Sequence, residues 1–396
     1  MSPCEKRPVV RSIHGAPSWR IANDVVEGWV TRDGGHLGPV HFKTALGDVQ
    51  PFAVAPWSPS EVAPDAPRVL RNLRGDFFCL PFGVGGTSLN GENHPLHGET
   101  SGGRWRLTSL TQSGDTTELE ARIGLEVRSG VVTKRIRLKS GQTVLYCSHH
   151  VEGMSGLMCL GHHAMLQFPD RWGSGRVAFS PIRFGQVKPV ASGSQAKGTF
   201  SSLRQGASFR SLRRVPRKRG GYANLTRYPA RKGSDDLVLL ASRPSEPLAW
   251  VAVSFPKERY FWFALKNPKH LASTLLWFSN GGLRASPWNG RNRPVLGIEE
   301  VTAFFDFGLA ASIGANTFSR RGVPTSLTLG GDVGLRIPYV MGVAVVPAGF
   351  GAVRQVRFGV ETLTFVSDSG ATIQQAVDLS FFSEREGVNH ETLRDQ

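Results

Sequence analysis

Four stretches of the sequence place titratable side chains among apolar neighbours. They are RGDFFCLPFG with Arg74 and Asp76, NGENHPLHGETSGGRW with His94, His97 and Glu99, GHHAMLQFPDRW with His162, His163 and Asp170, and VLGIEEVTAFF with Glu299 and Glu300. A charge taken into an apolar interior without a partner is costly, so such residues are either paired or put to use. Imidazole and carboxylate are also the side chains best suited to moving protons near neutral pH. Successive residues of a strand point to opposite faces. Only one of His162 and His163, and only one of Glu299 and Glu300, can therefore face a given pocket. Trp105, Trp172, Trp277 and Trp288 each lie near one of these polar clusters. A flat indole suits the apolar C–H face of a pyranose, and packing in the core is the other use of each ring. Two histidines and a glutamate could also hold zinc with an open position. The histidines lie on separate strands without short ligand spacing, so no metal is expected.

Other chemistries lack their signatures. FGVGGTS (Phe82 to Ser88) misses the third glycine of a dinucleotide loop and the helix that should follow it. There is no phosphate-loop GxxxxGK[ST], no G-x-S-x-G nucleophile elbow and no H-E-x-x-H. The four cysteines (Cys4, Cys79, Cys147 and Cys159) form no C-x-x-C and read as reduced thiols. The N-terminus has no apolar signal core, and no apolar run approaches the roughly 18 residues of a membrane span. A cytoplasmic location is the expectation.

The elements that must position these residues are strands. TELEARIGLEVRSG, GVVTKRIRLKSG and QTVLYCSHHVEG alternate with period two and are joined by short Gly-containing turns, which predicts an antiparallel meander. DLVLLAS, LAWVAVSF, YFWFAL, STLLWFSN, VLGIEEVTAFF, SLTLGGDVGLRIPYVMGVAVVP and AVRQVRFGVETLTFVSD are further strand candidates. Helical signals are confined to the vicinity of DFGLAAS and to the polar C-terminal stretch FFSEREGVNHETLRDQ. Strands never alternate with long helices, so the class is all-β and antiparallel rather than βαβ. No long linker divides the chain, which predicts one domain over 1–396 with its core at about 25–380.

The net charge of +16 is concentrated. From Arg171 to Ser234 there are 15 Lys or Arg and no Asp or Glu, leaving 32 basic against 31 acidic residues elsewhere. This segment reads as an insertion into the β-domain, either an anion-binding face or a solvated edge protected from aggregation by its charge. It lacks a nucleic-acid motif, so binding of nucleic acid through Arg213 to Arg219 is the weaker reading.

Taken together, the clusters resemble a family. NHPLHGETSGGRW is similar to the LHG…G…W segment of aldose 1-epimerases, the galactose mutarotases. LGHHAMLQFP resembles their G-x-H-P-Y-F-N-L strand, GIEEVTAFF their late I-E-P strand, and RGDFFCLPFG stands where they carry an arginine-containing sugar-binding segment. The motif order matches, over roughly residues 25 to 380. The resemblance implies a β-supersandwich of large antiparallel sheets, no cofactor, and a small-molecule carbohydrate as partner. Position by position it implies His163 and Glu299 as the catalytic acid and base and His97 as a catalytic histidine near the ring oxygen. Arg74 is implied as a sugar-binding arginine. Trp105, Trp288 and Asp170 complete the expected sugar contacts, with Asp235 and Asp236 as other candidates for the substrate-binding aspartate. This sequence departs from the pattern at Ala164-Met165, where the family has Pro-Tyr, and at Glu300, where it has Pro. The implied activity is interconversion of sugar anomers by acid/base ring opening. A carbohydrate-binding protein without turnover, or an enzyme acting on sugar phosphates or acidic saccharides, would use the same cleft.

Overall fold

The computed structural model describes residues 4–5, 8–85, 89–189, 201–230, 232–331 and 333–384. Two antiparallel sheets dominate, one of ten strands and one of seven. The predicted meander forms as Thr116–Leu125, Gly130–Lys139 and Val144–Glu152, neighbours in the ten-stranded sheet. Leu335–Val345, Tyr260–Lys266, Ala249–Phe255 and Gly175–Phe179 continue that sheet. In the seven-stranded sheet the order runs Ser208–Phe209, Ile182–Val187, Ser234–Ser242, Ser273–Asn280, Val295–Thr302, Leu160–Gln167 and Phe78–Cys79. The chain thus has the all-β architecture expected from its periodicity. The stretch SLTLGGDVGLRIPYVMGVAVVP forms two strands, Leu327–Gly330 and Leu335–Val345, because Gly330 and Gly331 break the alternation. The short helix near DFGLAAS is Leu309–Ile313. Of the C-terminal stretch, Leu379–Phe382 is one 3₁₀ turn, and residues 385–396 lie outside the described residues.

Two layers of apolar packing hold these sheets. Strand YFWFALK of the ten-stranded sheet is buried on both faces. Trp262 and Ala264 pack toward the seven-stranded sheet. Phe261, Phe263 and Leu265 pack with Phe365, Val356 and Leu363 of a three-stranded sheet, Val353–Phe358, Thr362–Ser367 and Thr372–Ala376. Doubly covered strands read as continuous apolar runs for this reason. A five-stranded sheet spanning Val10–Ile13 to Gly47–Val49 and two two-stranded sheets lie beside these. The basic segment does not stand apart from these layers. Gly175–Phe179 joins the ten-stranded sheet and Ile182–Val187 the seven-stranded one.

Candidate active site

The site is built on the seven-stranded sheet. Leu160–Gln167 pairs with Val295–Thr302 so that His163 lies opposite Glu299 and His162 opposite Glu300. Alternation then sends the two pairs to opposite faces. Val295–Thr302 is also paired with Ser273–Asn280, with Trp277 opposite Gly297. A Cβ at Gly297 would lie 2.7 Å from Glu299 Oε1 and 3.0 Å from Trp277 Cβ, so only glycine lets the carboxylate and the indole share this face. Ser234–Ser242 adds Asp235 one strand further on.

His97 arrives from outside the sheet, in the glycine-rich stretch. Its backbone is left-handed at φ 58°, and Gly98 follows at φ 75°. A side chain at Gly98 would collide with the Leu80 carbonyl, its Cβ 1.9 Å from that oxygen. The loop is further pinned by the His97 N–H donating to Gly83 O at 2.7 Å and by Glu99, whose carboxylate accepts from the backbone N–H of Glu126 and Val127. Glu92 and His94 form a second anchor. Glu92 accepts from Arg128 Nε and Nη2 at 2.8 Å and contacts His94 Nε2 at 2.9 Å.

These elements enclose a cavity of about 200 Å³. His97, His163, Glu299, Asp235, Trp277 and Trp288 line it, together with Lys188, Asp306 and leucines from residues 70 to 96. His163 Nε2 lies 3.4 Å from Glu299 Oε1, and the His97 and His163 rings meet edge-on with centroids 5.1 Å apart. His163 is stacked at 4.6 Å on Phe77, whose other side carries His36 at 4.2 Å. Trp277 and Trp288 meet perpendicularly at 5.4 Å. Asp235 accepts from Trp277 Nε1 and from the backbone N–H of Leu283, both at 3.0 Å, and from Gly282 N–H. Lys188 and Asp306 form an ion pair at the cavity wall.

The electrostatics follow from burial. Burial pushes the Glu299 carboxyl well above its ordinary range; the nearby Asp306 charge adds to this and Lys188 opposes it. Burial, reinforced by His97, pushes the His163 imidazole well below its ordinary range. His97 is lowered to about 4, again by burial. Asp235 is raised to about 7 by burial, its hydrogen bonds from Trp277, Gly282 and Leu283 only partly offsetting the shift. Burial thus favours the neutral form of both the Glu299 carboxyl and the His163 imidazole, an arrangement suited to passing a proton in either direction.

Three residues expected to contact the sugar lie elsewhere. Arg74 is buried, but its guanidinium donates to the carbonyls of Ile13, His14 and Asn72, clamping the first hairpin of the five-stranded sheet. Trp105 is a core residue whose indole N–H donates to Thr100 O at 2.9 Å, with Lys134 Nζ 5.4 Å from its ring. Asp170 is on the surface, 2.8 Å from Lys232 and 3.7 Å from Arg293. Of the three aspartates considered, Asp235 is the one in the cavity. Asp236 points away and accepts from Ser201, Ser202 and Leu203. Lys188 and Asp306 were not singled out by sequence, since the first is one of many basic residues in its segment and the second follows the glutamate strand without a motif. Among the described residues, no group of three or more His, Cys, Asp or Glu is arranged to hold a metal ion, and no helix is long and apolar enough to cross a membrane.

The architecture defines a fold class. The chain has the galactose mutarotase-like fold, as comparison with solved structures shows. A galactose mutarotase-like protein from Clostridium acetobutylicum superposes with a TM-score of 0.56 at 13% identity, covering 86% of this chain and 99% of that one. One from Lactobacillus casei gives 0.53 at 12%, covering 83% and 100%. The galactose mutarotase related enzyme from Lactobacillus acidophilus gives 0.52 at 10%, covering 84% and 99%. No protein-family model matches the chain, and no curated protein matches it by sequence.

Proposed function

We propose that the protein is an aldose 1-epimerase-type isomerase acting on an uncharged aldose or aldose derivative. The observation that carries this reading is the convergence of His97, His163, Glu299 and Asp235 on one cavity walled by two tryptophans. The volume is small beside the roughly 300–1,000 Å³ of sites for larger ligands, which suits a monosaccharide.

Anomer exchange needs a proton removed from the anomeric hydroxyl and one delivered to the ring oxygen. The neutral pair Glu299–COOH with His163 and the ion pair Glu299–COO⁻ with His163–H⁺ contain the same number of protons. One transfer across their 3.4 Å contact interconverts them, without exchange with solvent. The carboxylate takes the O1 proton while the imidazolium protonates the ring oxygen. The C1–O bond to the ring breaks, C1 becomes an aldehyde carbonyl, and rotation about C1–C2 exposes its other face. The reverse transfers close the ring and restore the pair. His97 and Asp235 hold neighbouring hydroxyls, and the indoles of Trp277 and Trp288 pack against the sugar's C–H surface.

The lining charges favour an uncharged substrate over a sugar phosphate. Asp235, Glu299 and Asp306 are acidic, and Lys188, the one lysine in the lining among the described residues, is engaged by Asp306. Three buried free thiols, Cys79, Cys147 and Cys159, support a reducing compartment such as the cytoplasm. The test is exchange NMR across a panel of neutral aldoses. At least one sugar is expected to interconvert its anomers faster with the protein than in buffer. Saturable sugar binding with exchange at the buffer rate would instead establish a carbohydrate-binding protein.

A further inference from the structure

A second polar site lies away from the cavity, in the part of the chain that the sugar chemistry leaves unused. Five arginines from four segments of the chain line a cleft of about 490 Å³ that shares no lining residue with the His163–Glu299 cavity. Arg176 is on Gly175–Phe179, Arg227 on Arg227–Tyr228, and Arg354 on Val353–Phe358; Arg210 and Arg213 follow Ser208–Phe209.

The arrangement brings like charges together. Arg176 and Arg227 are directly opposite each other in register at the end of the ten-stranded sheet. Like charges so placed destabilise a strand pair. Among the described residues, Asp368 is the only carboxylate in the lining, and it already accepts from the backbone N–H of Ala352 at 3.0 Å. Other arginines of the same segment have partners: Arg171 pairs with Glu258, Arg183 donates to the carbonyls of Arg321 and Gly322, and Arg214 lies 4.5 Å from the Tyr222 ring centroid. Arg176 is half-buried, and its Nε is shielded from solvent without a hydrogen-bond partner. Folds ordinarily satisfy such donors.

We propose that this cleft binds a small molecule carrying adjacent phosphoryl groups. The guanidinium fork matches phosphate oxygens bidentately, and five forks around one cleft can neutralise more than one phosphoryl group. The volume of about 490 Å³ lies within the range of small-molecule sites. Nucleic acid is a poorer fit, because Phe179 is the only aromatic residue in the lining among the described residues and strand binding relies on rows of aromatic platforms for the bases.

Isothermal titration of the full chain with inorganic pyrophosphate tests this. One saturable site is expected, weakened by about tenfold or more in Arg176→Gln/Arg227→Gln and in Arg354→Gln, where charge-assisted bidentate contacts are lost. Arg357→Gln, an exposed arginine outside the cleft, should bind as the parent does, and anomer exchange should be unchanged in every variant. Should the double variant fail to fold by circular dichroism, the exposed Arg213→Gln carries the same expectation. Absence of saturable binding, equal weakening in Arg357→Gln, or binding of an oligonucleotide but not of pyrophosphate would overturn the proposal.

Discussion

The two faces of the seven-stranded sheet carry nearly the same residues and do opposite things with them. One face presents His163 and Glu299, and the other His162 and Glu300, each pair contributed by the same two strands in the same register. On the inner face, toward the ten-stranded sheet, every charge has its partner. Glu300 is ion-paired with Lys266 and accepts from Thr274 Oγ1 at 2.7 Å; Lys266 donates in turn to Ser273 O at 2.7 Å. His162 Nδ1 lies 2.9 Å from Asp76 Oδ2. On the outer face His163 and Glu299 have each other at 3.4 Å, an open cavity, and no strong counter-ion of their own. Residue type therefore does not decide role here. Pairing of the charges separates the two faces: Glu300 and His162 are held by Lys266 and Asp76, whereas His163 and Glu299 face the cavity, where the proposed proton transfer would take place.

The largest effect that would break this contrast concerns the histidines. His163→Ala should lower the rate of anomer exchange by roughly 10²–10⁴-fold, the usual contribution of a general acid or base. His162→Ala should leave the rate per folded molecule unchanged while lowering the melting temperature. Equal rate losses in both, measured by exchange NMR on folded protein, would abolish the distinction between the faces.

Next in size is the inner ion pair. Glu300→Ala strands Lys266 in the core, which should destabilise the protein by about 3–5 kcal/mol in denaturant titrations, as removal of one partner of a buried pair does. Lys266→Met combined with Glu300→Leu should recover most of that loss, since an apolar pair leaves no charge unpaired. Failure of the double variant to recover would mean that the polar network specifies the packing.

A smaller effect is expected from Asp235. Its folded-state value of about 7 lies above the ordinary 3.8, so it changes charge near neutral pH. Sugar affinity should weaken as pH falls through about 7 and the acceptor carboxylate is lost; Asp235→Asn should remove that inflection. Because the folded value is raised, the group's favourable contribution is complete below 3.8 and disappears as pH rises through about 7. Asp235→Asn should therefore gain stability relative to the parent at pH 8 and not at acid pH, as thermal melts at the two pH values would show.

The smallest effect belongs to Trp288. Its ring is braced by Trp57 at 4.7 Å and Trp277 at 5.4 Å, so truncation removes contact area from one wall. Trp288→Ala should weaken sugar binding by roughly 2–10-fold, in keeping with about 0.5–1.5 kcal/mol for a packed aromatic contact. A loss beyond this in titration calorimetry would give that wall a larger share of recognition than the polar groups.

Much of this was legible in the sequence because strands write their faces with period two. The alternation in TELEARIGLEVRSG and its neighbours gave the antiparallel sheets, and the adjacency of His162 with His163 and of Glu299 with Glu300 required one member of each pair to face away. What sequence could not supply was the partner across the fold. Arg74 looks like a ligand-binding arginine until its guanidinium is seen on the carbonyls of Ile13 and His14, some sixty residues earlier. Trp105 lies beside the histidine loop in sequence, but its indole turns inward to Thr100 O. Asp170 is the aspartate the sequence favours, with Asp235 and Asp236 as alternatives; a strand register places Asp235 beside Trp277. The inner ion pair was hidden for the same reason, because Lys266 ends an otherwise apolar strand and nothing local joins it to Glu300.

The most direct measurement compares two isosteric substitutions at adjacent positions. Anomer exchange by NMR, with the protein at equal folded concentration, should fall by orders of magnitude in Glu299→Gln with sugar binding kept, and should stay at the parent rate in Glu300→Gln. Exchange that survives Glu299→Gln, or that is lost equally in Glu300→Gln, would contradict the assignment of proton transfer to the outer face.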